Sequence, residues 1–330
     1  MNETILFGSL MIIIIIFGSI GNALVIYSLC KQKKLIKRNN HYYLVLHLAV
    51  YDLVCLLFGG EYAYESLSGK NFAFSTLICK LWSTIHTCFF IMDAAVMVII
   101  ALIRYRAVFR PLAAPLKRWH INVVLGAGWM LAIACMAPFF WMLHFSPKPE
   151  SCHPDWPNKT FEVTYTVLLT CIQYFIPVIV LTLVYLRIYK KISENFTETP
   201  REDSILAPSD MDENTKKGTW FQKFRNDRNG QIFLVSFAIV ICFTISAFPL
   251  QLIGIIAISG IPVDRYHTIS YLLFVTGVCS LNPFIYKALD RKVFLVIRSF
   301  VSKTFRHISH SSKRSAPAGY THTRNRESSV

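Results

Sequence analysis

Few residues in this chain are placed to do chemistry, and nearly all of them stand inside apolar surroundings. Asp52 closes Leu48-Ala49-Val50-Tyr51-Asp52, and Asp93 is the one acid in an apolar stretch that ends at Arg104-Tyr105. Asn22 follows Gly21, and Asn282-Pro283-Phe284-Ile285-Tyr286 falls within the last apolar stretch. A charge at membrane depth is costly and marks function by default. Two carboxylates there would take up a proton or a cation, as an ion-coupled transporter or a proton pump requires. Arg104 at a membrane face would reach water by its long stem, or meet a partner. No nucleophile–base pair and no metal-ligand spacing is present, so enzyme chemistry is the least supported reading.

The elements that position these groups follow from hydropathy. The chain has 330 residues, 54% hydrophobic and 16% charged, with mean hydropathy +0.43. That is less charged than a soluble domain. The apolar residues gather in seven stretches, about Ile5–Cys30, His41–Tyr64, Leu77–Ile103, Asn122–Leu143, Thr164–Leu186, Gln231–Ile258 and Thr268–Leu289. Each is long enough to cross a bilayer core, which takes roughly 20 residues per helix. Backbone in lipid must satisfy its own hydrogen bonds, so these stretches are helices. The expected fold is an all-α membrane protein, a seven-transmembrane-helix bundle with an amphipathic eighth helix. The divisions are residues 1–4 outside, 5–289 in the bundle, 290–305 as the amphipathic helix and 306–330 as a disordered tail. The first stretch lacks a basic leader, is long, and is followed by a basic cluster, so it reads as an anchor and not as a cleaved signal.

Most of the 34 Lys and Arg follow the first, third, fifth and seventh stretches. The positive-inside rule places those segments in the cytoplasm and the N-terminus outside. The net charge of +15 is thus mainly a topology signal, and no soluble basic domain is present to bind nucleic acid. Of nine cysteines, Cys79 and Cys152 lie at the outer, oxidising side, which makes their disulfide the natural pairing. Asn158-Lys159-Thr160 is a glycan acceptor on the same side. In 290–305, Phe294, Leu295, Ile297, Phe300 and Val301 alternate with Arg and Lys, which suits a helix lying on an anionic inner leaflet.

Asn22, Asp52, Arg104-Tyr105, Trp129, Pro177, Pro249 and Asn282-Pro283-x-x-Tyr286 occur in order, each on its own helix. Together with the two outer cysteines they resemble the rhodopsin-like (class A) G-protein-coupled receptors over about Ile5–Phe300. Prolines 177 and 249 each remove a backbone hydrogen bond and kink their helices, which gives a pivot. The resemblance implies an activation switch of Arg104, Tyr185, Phe243, Pro249, Asn282 and Tyr286. Its arginine would be freed to meet a heterotrimeric G protein, and its two tyrosines would help hold the open form.

Several positions depart from the family's pattern. Ile103 stands where an acid usually precedes the arginine, and Asn229 is at the matching inner position of the sixth helix. The ion pair that restrains the resting state is therefore missing, which predicts raised basal signalling. Ala247 replaces the usual tryptophan before Pro249, leaving either Phe243 or Phe248 to couple ligand to kink. Phe72-Ala73-Phe74 stands for a usual Trp-x-Phe. Asp93 replaces a serine, so that Asp52, Asp93 and Asn282 would face one cavity. Two carboxylates in a low dielectric cannot both stay ionised unpaired, so this site would bind sodium, as the family's does beside the matching aspartate, or share a proton.

The pattern around Arg104 looks most like that of the neuropeptide receptors. His86 stands where amine receptors carry an aspartate, and Thr276 where opsins need a Schiff-base lysine. Glu61, His86, Gln173 and Gln251 are the expected ligand contacts, with Glu61 placed to pair a basic peptide terminus; Glu65, Asp155 and Asp264 are further outer acids. The expected function is a plasma-membrane receptor for a neuropeptide, coupled to G proteins, with arrestin and a PDZ protein as further partners. Ser328 and Val330 fit such a PDZ domain by strand addition and carboxylate capture. Ile103 and Ala247 also keep open a receptor-like protein that does not signal.

Overall fold

The structure is a computed structural model that describes residues 3–70, 75–147, 150–198 and 228–289, with 295 and 298. Among the described residues seven helical spans are long and apolar enough to cross a membrane: Glu3–Lys31, Asn40–Ser68, Thr76–Phe109, Arg118–Met142, Lys159–Glu194, Phe233–Ala257 and Tyr266–Tyr286. The seven-helix architecture read from hydropathy is the one observed. Their outer surface is apolar, with Phe17, Met130, Trp141 and Ile245 exposed. Their interior holds the polar groups, with Asn22, Asp52, Asp93 and Asn282 buried. A water-soluble fold has the reverse arrangement, so this bundle is built for a hydrocarbon solvent.

The spans are less regular than their hydropathy. The first is α1 (Glu3–Lys31), followed by a short inner helix α2 (Lys33–Arg38). The second breaks at Gly59 into α3 (Asn40–Phe58) and α4 (Gly60–Ser68). The third, α5 (Thr76–Phe109), runs past Arg104, so that residue is within the helix and does not end it. The fourth is α6 (Arg118–Met142). Its first residue, Arg118, donates to the Ile36 carbonyl and lies 4.0 Å over the Tyr43 ring, which fastens the inner loops together.

Beyond α6 the chain forms a hairpin, β1 (Leu143–Pro147) with β2 (Glu150–Pro154), paired antiparallel with Phe145 opposite Cys152. The fold is all-α in class as expected, with this short hairpin in the outer loop. The fifth span begins earlier than hydropathy suggests, with α7 (Lys159–Thr170), then a π-turn over Cys171–Phe175, then α8 (Ile176–Glu198). The sixth is α9 (Arg228–Ala257), with Pro249 inside it. The seventh is α10 (Asp264–Phe274), a π-turn over Val275–Ser280, and α11 (Asn282–Leu289).

Both π-turns lie just before a proline, Pro177 or Pro283. A proline in a helix leaves the carbonyl four residues back without its donor and clashes with it. For Pro283 that carbonyl is Cys279, and the Asn22 side chain of the first span supplies the donor at 2.8 Å. The seventh span also presses closely on its neighbours. A Cβ added at Gly277 would lie 1.7 Å from Ser246 Oγ of α9, and one at Gly18 would lie 2.5 Å from Ser280 Oγ. Small residues at such contacts let helices approach.

The amphipathic helix 290–305 (apart from residues 295 and 298), the tail with Ser328 and Val330, Phe72-Ala73-Phe74 and the side chain of Asn229 lie outside the described residues.

Candidate functional site

Three polar groups meet at mid-bundle. Asn282 opens α11 directly after the π-turn, and its Nδ2 donates to Asp52 Oδ2 of α3 at 2.8 Å and to the Val278 carbonyl at 2.8 Å. Asp93 of α5 lies within electrostatic reach of Asp52. Asp52 and Asp93 are 0% and 1% exposed. Four buried oxygens, Asp52 Oδ1, both of Asp93 and Asn282 Oδ1, have no hydrogen-bond partner in the protein. A buried acceptor left so is costly, more so when charged. The set is oxygen only, which suits a hard cation or a shared proton. Among the described residues no three His, Cys, Asp or Glu side chains gather as a metal site.

One layer outward, aromatic rings fill the space between α5, the fifth span and α9, the helix that carries Pro249. Phe243 is 1% exposed, with Phe90 at 6.1 Å and Tyr174 at 6.0 Å between ring centres. Phe90 meets Phe274 edge-on at 4.9 Å. Phe248 is 47% exposed and reaches only Tyr174, at 6.3 Å. Ala247 itself is fully buried. Of the two phenylalanines, Phe243 is therefore the one packed inside the bundle. Beside it, Gln173 Nε2 donates to Gln251 Oε1 at 2.8 Å, and the Tyr174 hydroxyl donates to the Thr244 carbonyl at 2.8 Å. The π-turn over Cys171–Phe175 carries both residues, so it supplies these two hydrogen-bonded links from the fifth span to the sixth.

The outer end holds the remaining expected ligand contacts. His86 of α5 stacks on Phe58 at 5.9 Å and lies 3.5 Å by its Nε2 from the Tyr271 hydroxyl. Glu61, in the first turn of α4, is partly buried beside Trp82 and Glu65. Tyr62 stacks on Tyr271 at 3.7 Å. Thus Glu61 and His86 face one aromatic cluster between the second, third and seventh spans, while Gln173 and Gln251 form a separate pair between the fifth and sixth. The aromatic partners were not foreseen, because tyrosine and phenylalanine at helical spacing read equally well as core. Asp155 lies 3.5 Å from both His144 Nδ1 and His153 Nε2, so its carboxylate is engaged within the outer loop.

The expected disulfide Cys79–Cys152 is present, with Cα atoms 5.8 Å apart, and ties the hairpin to the top of α5. Asn158 caps α7, its side chain accepting from the Phe161 amide at 2.8 Å, and is exposed. At the inner end Tyr185 and Tyr286, 3% and 1% exposed, line one small cavity. Arg104 lies within electrostatic reach of Tyr185. Trp129 bridges the fourth span to the second, its Nε1 donating to the Tyr51 hydroxyl at 3.2 Å.

Comparison with known proteins agrees with this geometry. The family described as "7 transmembrane receptor (rhodopsin family)" matches residues 21–286. The Neuropeptide F receptor of Drosophila melanogaster is 22% identical over 296 residues, covering 83% of this chain and 58% of that protein. Melanopsin of Homo sapiens is 25% identical over 260 residues, covering 77% and 52%. The Octopamine receptor beta-3R of Drosophila melanogaster is 30% identical over 227 residues, covering 61% and 18%. The chain spans about half the length of the first two relatives. Because the family match runs from Gly21 in the first span to Tyr286 in the last, the chain belongs to the rhodopsin family of seven-transmembrane receptors.

Proposed function

We propose that this protein is a plasma-membrane receptor that binds an extracellular peptide and promotes nucleotide exchange on heterotrimeric G proteins. The N-terminus is outside and the C-terminus cytoplasmic, as the Lys and Arg distribution favours. The observation that carries the reading is the placing of Arg104, Tyr185 and Tyr286 together at the inner end, below the Asp52–Asn282 link. The peptide part rests on Glu61, a partly buried carboxylate among aromatic rings at the outer end, and on the likeness to a neuropeptide receptor. His86 offers an amine no carboxylate, and Thr276 offers an aldehyde no amine; its hydroxyl donates to the Leu272 carbonyl at 2.7 Å. Arrestin is a further partner of the same inner face. With Ile103 before Arg104, output without ligand is raised.

A peptide library screened on cells with a promiscuous G-protein reporter tests this. We expect a basic peptide to raise output, and Glu61→Gln to weaken it about tenfold or more, as loss of a charge-assisted bond would. Peptide binding without nucleotide exchange would favour instead a receptor-like protein that captures its ligand, as Ile103 and Ala247 would allow.

Asp52, Asp93 and Asn282 would hold a sodium ion or share a proton, which stabilises one arrangement of the second, third and seventh spans. Replacing choline chloride by sodium chloride is expected to change exchange without ligand in the wild type, and to change it less in Asp93→Ser. Identical salt responses in the two proteins would remove Asp93 from the site.

A further inference from the structure

At the inner end of the bundle a cavity lies between the second, third, fifth, sixth and seventh spans. It offers about 10 Å³ to the centre of a water molecule, which is room for one. Most of its lining is apolar, Val45, Met97 and Ile239 among it, but His41, Tyr185 and Tyr286 line it as well. His41 is in the first turn of α3 and 3% exposed. Its backbone amide is capped by the Asn39 side chain at 2.9 Å. Its ring nitrogen Nδ1 is buried and has no hydrogen-bond partner in the protein. A buried imidazole in an apolar wall is destabilising unless that nitrogen is satisfied, and a water needs two to four polar partners. Four polar side chains, Ser236 of α9 with these three, around a space of one water meet both needs. Arg104 lies within electrostatic reach of His41 and of Tyr185, so the cavity adjoins the switch.

We propose that His41 is a positioning residue of this switch: one water in the cavity hydrogen-bonds its Nδ1 and the hydroxyls of Tyr185 and Tyr286. The second span thereby holds the fifth and seventh in the arrangement that signals. With Ile103, not an acid, preceding Arg104 in sequence, the His41 link leaves this arrangement populated without ligand. The signalling part rests on the receptor reading above; the water link does not.

The test uses the full chain in lipid nanodiscs with 3-fluorotyrosine at position 185 or 286. Its ¹⁹F resonances are compared in wild type, His41→Leu and His41→Asn. Leucine fills the cavity and removes the bond, so both resonances should move. Asparagine keeps a polar group there, so both should stay near their wild-type positions. Resonances unmoved by leucine, or moved equally by both substitutions, would overturn the link. Exchange without ligand on purified G protein is then measured. His41→Leu should lower it about fivefold, as loss of one ordinary hydrogen bond would, while His41→Asn stays within about twofold. Wild-type exchange left unchanged by His41→Leu would overturn the role in switching. Resonances that move as expected, in a protein with no exchange in any form, would keep the link and reject the receptor reading.

Discussion

Phe243 and Phe248 differ in what lies around them, not in chemistry. Phe243 is enclosed by Phe90 and Tyr174, whereas Phe248 is exposed where lipid would be. Lipid tails are as apolar as a phenyl ring, so only the enclosed residue has packing to lose. Thermal unfolding in nanodiscs should show Phe243→Ala costing about 3 kcal/mol or more. Phe248→Ala should cost less than about 0.5 kcal/mol, as surface substitutions do. The sequence places Phe248 beside Pro249 and Phe243 six residues before it, but does not show which faces inward. A kinked helix breaks the periodicity from which a face is read. Asp52 and Asn282 were legible for the opposite reason, since an isolated polar group in an apolar run has nowhere to go but inward.

At the scale of elements, hydropathy located all seven spans because a lipid environment penalises every alternative to a helix. It did not locate the hairpin of Leu143–Pro147 and Glu150–Pro154. The alternation of Leu143 and Phe145 is too short to mark a strand, and the strands are held by cross-strand pairing, by the packing of those two residues on Cys79 and Cys152, and by the cystine to α5. The π-turns were equally invisible, because they arise from the conflict between a proline and a carbonyl one turn away. The seventh span's contact with the sixth is tight where Gly277 of the second π-turn meets Ser246. Gly277→Ala is expected to lower stability by about 1–3 kcal/mol, since its Cβ would overlap Ser246. Adding Ser246→Gly should restore most of that loss in a thermal melt; no restoration would show that the glycine serves flexibility and not approach.

Considered whole, the molecule is a polar core inside an apolar shell, roofed by a hairpin on a covalent tether. The Cys79–Cys152 bond closes a loop spanning 73 residues of sequence separation. By the chain-entropy account such a closure stabilises by about 4 kcal/mol. Cys152→Ser should therefore lower the melting temperature and the yield at the cell surface, and Cys79→Ser should do so equally. Unequal losses would mean that the remaining thiol has found another partner. The polar core follows from composition and position together, and so does the family. The ligand does not, because the residues proposed to meet it, Glu61 and His86, sit among aromatic rings contributed by other spans.

The two π-turns bear on how this chain is compared with any other. Each inserts an extra residue into a helical turn, and one residue corresponds to about 100° around the axis. A relative lacking one residue of Cys171–Phe175 would keep the same inner half of the fifth helix. Its outer half would turn by about that angle, so that other side chains would stand where Lys159–Thr170 presents its own. An alignment without a gap across either turn would then equate residues that look in different directions.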